Sequence, residues 1–217
     1  MTRKIALAAM EHSHQFISTL FKVGSLANVL IVMDLYAPVF RRACPGPSEG
    51  LVNFPRCLMA INIHLKYYAA LDVLQSFLTQ RPMFFRYDLD FLSSQDEAFI
   101  KSGNGLGLRW LYGVPDRLMI ALARMNSLIE DFGNRVDSDT IHELEEEIAA
   151  CTPIVIVGAG TDPALNVGRI MVQEAWKMVA QVYLYMGLCG ANSLDPRVIK
   201  VQRKFMGLLR NSVCPFN

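Results

Sequence analysis

The stretch "TPIVIVGAGTDPALNVGRI", Thr152–Ile170, decides between two fold classes. Ile154, Val155, Ile156 and Val157 form a β-branched run that meets Gly158 and Gly160, and a helical pattern follows. Strand, glycine turn and helix in that order open a dinucleotide-binding fold, whose fingerprint is G-x-G-x-x-G. The first glycine makes the turn, the second admits the pyrophosphate to the backbone, and the third packs helix on strand. Gly158 and Gly160 fill the first two positions, but the third is Pro163, which also removes an amide from the helix N-terminus. The fold needs several βα units downstream, and only two helical patterns follow. The carboxylate expected about 20 residues on would fall within the apolar "VYLYMGL". The stretch therefore reads as a connector into a helix that Thr161 or Asp162 caps and Pro163 opens. A dinucleotide-dependent oxidoreductase using the Gly158/Gly160 loop is the weaker alternative.

Outward from this connector the periodicity is helical. A helix is predicted over Arg3–Val23, with Ile5, Ala8, Ala9, Phe16, Leu20 and Phe21 facing inward, and Gly24-Ser25 separates it from a second helix over Leu26 to about Phe40. Pro45, Gly46 and Pro47 punctuate a loop. A long helix apolar on more than one face follows from about Pro55 to Thr79, bounded by Asn53 and Gln80. Residues 82–107 read as irregular. From about Pro115, an amphipathic stripe of Leu118, Ala121, Leu122, Met125, Leu128, Ile129 and Phe132 pairs with a helix carrying Ile141, Leu144, Ile148 and Cys151 on one side, a helical hairpin. Helices over Pro163–Met186 and Pro196 to about Arg210 complete the chain. The expectation is an all-α single domain over residues 1–217, an irregular bundle of about seven or more helices. The Asn53–Gln80 and Asp162–Met186 helices are expected at its centre.

Composition narrows the function. Of 217 residues, 21 are Lys or Arg and 20 Asp or Glu, a net charge of +1. Neutralising nucleic-acid phosphates needs a basic surplus, so direct DNA binding is not expected. The longest uncharged apolar run, near "VGSLANVLIVM" (Val23–Met33), ends at Asp34 and is too short to span a bilayer. Cys44, Cys57, Cys151, Cys189 and Cys214 are scattered without C-x-x-C spacing, which suits neither a disulfide framework nor a zinc site.

The remaining chemical signals are few. "VDSDTIHELEEEI" begins like a calcium loop at Asp137 and Asp139, but its later ligand positions are Ile141, His142 and Ile148. Glu143, Glu145, Glu146 and Glu147 read as a solvated helix face. His12 and His14 face different ways on a helix, and His64 and His142 lie far off in sequence. Asp34, Asp72 and Glu174 sit within apolar helices, where an unpaired charge is very costly. Arg81, Arg86, Arg109 and Arg169 are their candidate partners. The group could form a polar effector pocket, but internal ion pairs that hold helix register are favoured. No catalytic, cofactor-binding or metal-ligating residue is assigned.

Four segments together resemble one family. They are "YYAALDVLQSFLTQRPMFFRYD" (Tyr67–Asp88), "GLRWLYGVPDRLMIALARMNSL" (Gly107–Leu128), "VQEAWKMVAQVYLYMGLCG" (Val172–Gly190) and "DPRVIKVQRKFMGLL" (Asp195–Leu209). In this order they resemble the fungal-specific transcription factor domain. That domain is the helical regulatory region of fungal regulators whose DNA-binding module is a binuclear Zn(2)-Cys(6) cluster. The resemblance implies a non-enzymatic, nuclear, all-α domain that regulates RNA polymerase II transcription through a small-molecule effector, the transcriptional machinery or other regulator subunits. A homodimer is a further expectation. It implies no catalytic residues, and zinc only in a cluster module outside this chain. None of the five cysteines fits such a cluster. The chain is expected to be part of a longer regulator or a paralogue without the DNA-binding module.

Two outcomes are expected of the purified chain. Calorimetric titration with NAD and FAD shows no binding, and DNA shows no sequence-dependent affinity in about 150 mM salt. Micromolar dinucleotide binding would restore the oxidoreductase reading.

Overall fold

Helical patterning without sustained alternation gives helical structure. The computed structural model describes residues 2–46, 50–103, 107–155 and 162–213. In order along the chain these form α1 (Arg3–Val23), α2 (Leu26–Ala43), β1 (Val52–Asn53), α3 (Phe54–Met59), α4 (Ile63–Thr79), β2 (Tyr87–Asp88), α5 (Ser94–Ser102), α6 (Leu108–Tyr112), α7 (Asp116–Phe132), α8 (Ser138–Ala149), α9 (Pro163–Tyr183), a π-helical turn (Leu184–Leu188) and α10 (Pro196–Val213). Two compact units result, Met1–Gly107 and Leu108–Asn217. The fold is all-α, as expected from the sequence. Among the described residues the strands are a single two-residue parallel pair, with Val52 opposite Tyr87.

The first unit is built on α4. Every residue from Leu65 to Ser76 is buried, the mark of a helix apolar all round and packed on several sides. Helices α1, α2 and α3 all contact it. The predicted Asn53–Gln80 helix is in fact two helices. Asn62 breaks it: its side chain accepts from the amides of His64 at 3.0 Å and Leu65 at 3.2 Å, starting α4 afresh after Met59. Asn53 caps α3 in the same way, accepting from Arg56 N at 3.0 Å, while its Nδ2 donates to Asp88 Oδ2 at 2.9 Å and Asp90 O at 2.8 Å.

Asp72 lies at the middle of α4 with no exposed surface. Its Oδ1 accepts from Phe84 N at 2.8 Å and Arg81 Nη2 at 3.4 Å. Its Oδ2 accepts from Tyr87 OH at 3.0 Å and Phe85 N at 3.2 Å. The segment "RPMFFRYD" thus wraps around one carboxylate. Ser76 Oγ adds a bond to Arg81 O at 2.7 Å, and the Arg81 guanidinium sits 4.0 Å from the Phe84 ring centre. Burial pushes the Asp72 carboxyl up to about 6, against the opposing pull of the Phe84 amide, the Tyr87 hydroxyl, Arg81 and the Phe85 amide.

Helix α1 corrects the predicted face. Ala6, Met10, Ser13 and Ile17 are buried, whereas Ile5, Phe16 and Phe21 are about half exposed. Apolar residues surround this helix, so periodicity alone does not choose a side. The chosen face alternates small Ala6 and Ser13 with large Met10 and Ile17, all buried, and Ser13 satisfies its hydroxyl on Met10 O at 3.0 Å. Helix α5 falls where an irregular segment was expected; Ser93 caps it and Gly103, at φ 62°, ends it.

In the second unit the central helix is α7, with Leu118–Ala123, Met125 and Asn126 buried. Helix α9 was expected at the centre, yet only Gln173 and Ala180 are buried along it. Leu165, Val167 and Val172 are about half exposed. The α-helix also stops at Tyr183, not Met186, and passes into the π turn, where Cys189 N reaches Leu184 O at 3.1 Å. The predicted α7–α8 hairpin is present, with Leu144, Ile148 and Cys151 buried. Phe132, placed on the inward stripe by its spacing, is about half exposed at the helix end. Gly113 stops α6 with φ +69°, and a Cβ there would lie 2.4 Å from Val172 Cγ1 of α9.

Two substitutions test these contacts. Asp72→Asn keeps one acceptor and loses the rest, and should cost about 1–3 kcal/mol in urea unfolding at pH 7. The folded carboxyl titrates above its unfolded value, so its contribution is fullest below the unfolded pKa and is lost as pH rises through about 6. The parent's advantage over Asp72→Asn should therefore narrow between about pH 4 and pH 6. Gly113→Ala should cost about 2 kcal/mol or more from left-handed strain and overlap. In a Val172→Ala background the same change should cost less, leaving only the strain, as a double-mutant cycle would read.

Candidate functional site

A concavity on the second unit lies beside the connector that the sequence singles out. It is a cleft of about 440 Å³ lined by α6, the following turn, Ile154, Val155 and one side of α9. Helix α9 begins there as the sequence predicts: Pro163 is its first residue, and Asp162 caps it by accepting from Ala164 N at 2.8 Å. Gly158, Gly160 and Thr161 lie outside the described residues. The Asp162 carboxylate sits on the helix N-terminus that a pyrophosphate would need, and its charge opposes an anion there.

The cleft wall is fixed by Gln173. This side chain is 3% exposed. Its Oε1 accepts from Ile154 N at 3.1 Å and its Nε2 donates to Ile154 O at 3.0 Å and Arg169 O at 3.2 Å. An amide pairs with one residue's backbone as a neighbouring strand would, which fixes the connector at Ile154. Opposite, Trp176 Nε1 donates to Tyr112 O at 3.0 Å and Leu108 N donates to Asp116 Oδ1 at 2.8 Å, anchoring both ends of α6. Leu165 and Val172 make the α9 side apolar, and Arg109 and Arg169 bring positive charge to it. Arg109 Nη2 is shut off from solvent and meets no hydrogen-bond acceptor among the described residues.

The acidic and basic candidates separate. Asp72 and Arg81 form the expected internal pair. Asp34 is exposed on α2, and Glu174 is half-buried on α9. Arg86 is exposed, while Arg109 and Arg169 line the cleft. The glutamates of α8 form a solvated face: Glu143 lies 2.7 Å and Glu147 3.9 Å from Arg124, and His142 faces Glu145 and Glu146. Asp137 caps α8 through Thr140 N at 2.8 Å.

Two pairings escape sequence reading because their partners are far apart in the chain. His14 Nδ1 and His64 Nδ1 lie 2.9 Å apart, and the His14 ring stacks on Tyr67 at 3.7 Å. Burial, then the neighbouring His64, lowers the His14 pKa. The buried Cys44 and Cys57 thiols are 3.9 Å apart, and the Cys57 thiol and burial both raise the Cys44 pKa. Among the described residues no three His, Cys, Asp or Glu side chains gather as a metal site, and no helix is long and apolar enough to cross a membrane.

Comparison with known proteins agrees with the motifs that surround Asp72 and the cleft. No curated protein and no solved structure matches the chain. The family model of the fungal specific transcription factor domain matches residues 50–214, well over half of the chain. The match takes in α3 to α10, with both "RPMFFRYD" and the cleft-forming "GLRWLYGVPD". The chain belongs to the fungal-specific transcription factor domain family and carries that family's role in transcription regulation.

Proposed function

We propose that this chain is a non-enzymatic regulatory domain of an RNA polymerase II transcription factor, acting in the nucleus, whose output is set by a small-molecule effector or a protein partner. The family match over residues 50–214 carries the reading. The second unit supports the effector part: its cleft is of a size that small-molecule sites use, mostly apolar with a few polar groups. DNA binding belongs to a separate module, because the charge is near neutral and the cysteines lack zinc-cluster spacing. Zinc would be bound by that module and not here. Other regulator subunits, the transcriptional machinery and a second copy of the chain are the proposed protein partners. The cleft also favours a second reading, a ligand-binding helical domain with no role at DNA.

The test tethers the full chain to a heterologous DNA-binding module upstream of a reporter in fungal cells. The regulatory reading expects severalfold activation or repression, altered by Asp72→Asn. A reporter indifferent to the chain, while the chain binds small molecules in vitro, would favour the second reading.

A further inference from the structure

Charge is not spread evenly over this chain. Helix α10 carries Arg197, Lys200, Arg203, Lys204 and Arg210 and no carboxylate, a formal charge of +5 in a chain whose total is +1. The rest of the chain therefore stands at −4. A solvated helix ordinarily alternates its signs at i, i+3 and i+4, because like charges at those spacings repel. On α10, Lys200 meets Arg203 and Lys204 at those spacings instead. Asp195 engages Arg197, at 3.1 Å from Nε and 3.0 Å from Nη2. Lys200, Arg203, Lys204 and Arg210 are exposed and enter no ion pair among the described residues.

Helix geometry gathers these four cations. Val198 and Val201 are buried where α10 packs on α9, and at about 3.6 residues per turn the cations lie on the side turned away from them. Gly207 sits in the middle of that side, and a Cβ there meets nothing within 4 Å. Met206, 50% exposed, borders Arg203 and Arg210 along one edge. From Lys200 to Arg210 the ridge runs about 15 Å.

Size and sign select what fits it. A helix that lies on a membrane inserts its apolar face, and that of α10 is spent on α9. A nucleic-acid duplex binds through many phosphates over a greater length, and beyond the ridge it meets a chain of net negative charge. A short acidic segment matches the ridge in length and in sign, and an apolar residue beside its carboxylates covers Met206. We propose that the outer face of α10 docks an acidic protein segment, its carboxylates on Lys200, Arg203, Lys204 and Arg210 and an apolar side chain against Met206. This rests on the protein-partner reading above and names that partner's chemistry.

Fluorescence anisotropy of the full chain is measured with a labelled peptide of alternating glutamate and leucine pairs, about 12 residues or roughly 18 Å as a helix, and with the same peptide carrying glutamine for glutamate. The acidic peptide should bind, more weakly as salt is raised, and the neutral one at least about tenfold less well. Lys200→Glu with Lys204→Glu should weaken the acidic peptide about tenfold or more. Lys4→Glu with Lys22→Glu makes the same change in net charge at exposed positions of α1 and should leave binding unchanged. Gly207→Glu sets a carboxylate in mid-ridge, four residues after Arg203 and three before Arg210. It should weaken the peptide while its own Tm equals or exceeds the parent's, separating lost docking from lost folding. Equal loss in the two double variants would overturn the site, leaving net charge alone. A neutral peptide bound as tightly as the acidic one would overturn the recognition of carboxylates. A short DNA duplex or phosphatidylserine vesicles, bound more tightly than the peptide and released by Lys200→Glu with Lys204→Glu, would overturn the class of partner. No binding of the acidic peptide would overturn the proposal, while the tethered reporter still decides the regulatory role by itself.

Discussion

A carboxylate without solvent contact must find all its hydrogen bonds inside the protein, and Asp72 finds them in the segment that follows its own helix. Two amides, a hydroxyl and a guanidinium converge on it from Arg81, Phe84, Phe85 and Tyr87. The cost of burying that charge is what makes the arrangement specific. Any register of this segment that withdrew a donor would leave the carboxylate short. The segment then delivers Tyr87 to Val52, Asp88 to Asn53, and Phe85 to the Phe40–Tyr68 stack. One polar residue in an apolar helix therefore positions α2, α3 and the strand pair of the first unit.

The second unit repeats the device with a neutral group. Gln173, buried in an otherwise half-exposed helix, takes both backbone groups of Ile154 and fixes the described end of the connector. Gly113, by lacking a Cβ, lets the α6 turn close on Val172. The cleft is what remains between these two fixings. Its apolar wall and its underused arginine follow from the same economy: the backbone of the connector consumes the amide, and nothing in the described wall consumes Arg109 Nη2.

Local chemistry was largely legible in the sequence, and long-range pairing was not. The helix starts at Leu26 and Pro163 fall where the sequence puts them, beside caps that act within a few residues, whereas the Asp137 cap of α8 was read only as the start of a failed calcium loop. The Asp72–Arg81 pair was among the candidates because charge in an apolar helix demands a partner. The α1 face misled because apolar residues surround that helix, and the stripe that packs is Ala6, Met10, Ser13 and Ile17, with a serine in it. The break at Asn62 was hidden by uninterrupted apolar flanks, although an asparagine can cap as it does at Asn53. The contacts between His14 and His64, between Cys44 and Cys57, and between Gln173 and Ile154 join residues whose spacing carries no periodic signal. Of the four arginines singled out, two line the cleft, but only the fold could bring Arg109 and Arg169 together.

The central claim is that buried polar side chains on α4 and α9 fix the irregular segments beside them. Native-state hydrogen exchange at the amides of Phe84, Phe85 and Ile154 tests it most directly, since each donates to such a side chain. The account predicts that Phe84 and Phe85 exchange as slowly as the core of α4, and Ile154 as slowly as the buried turns of α7, opening only with their units. Exchange of these amides at the rate of an exposed loop would contradict it.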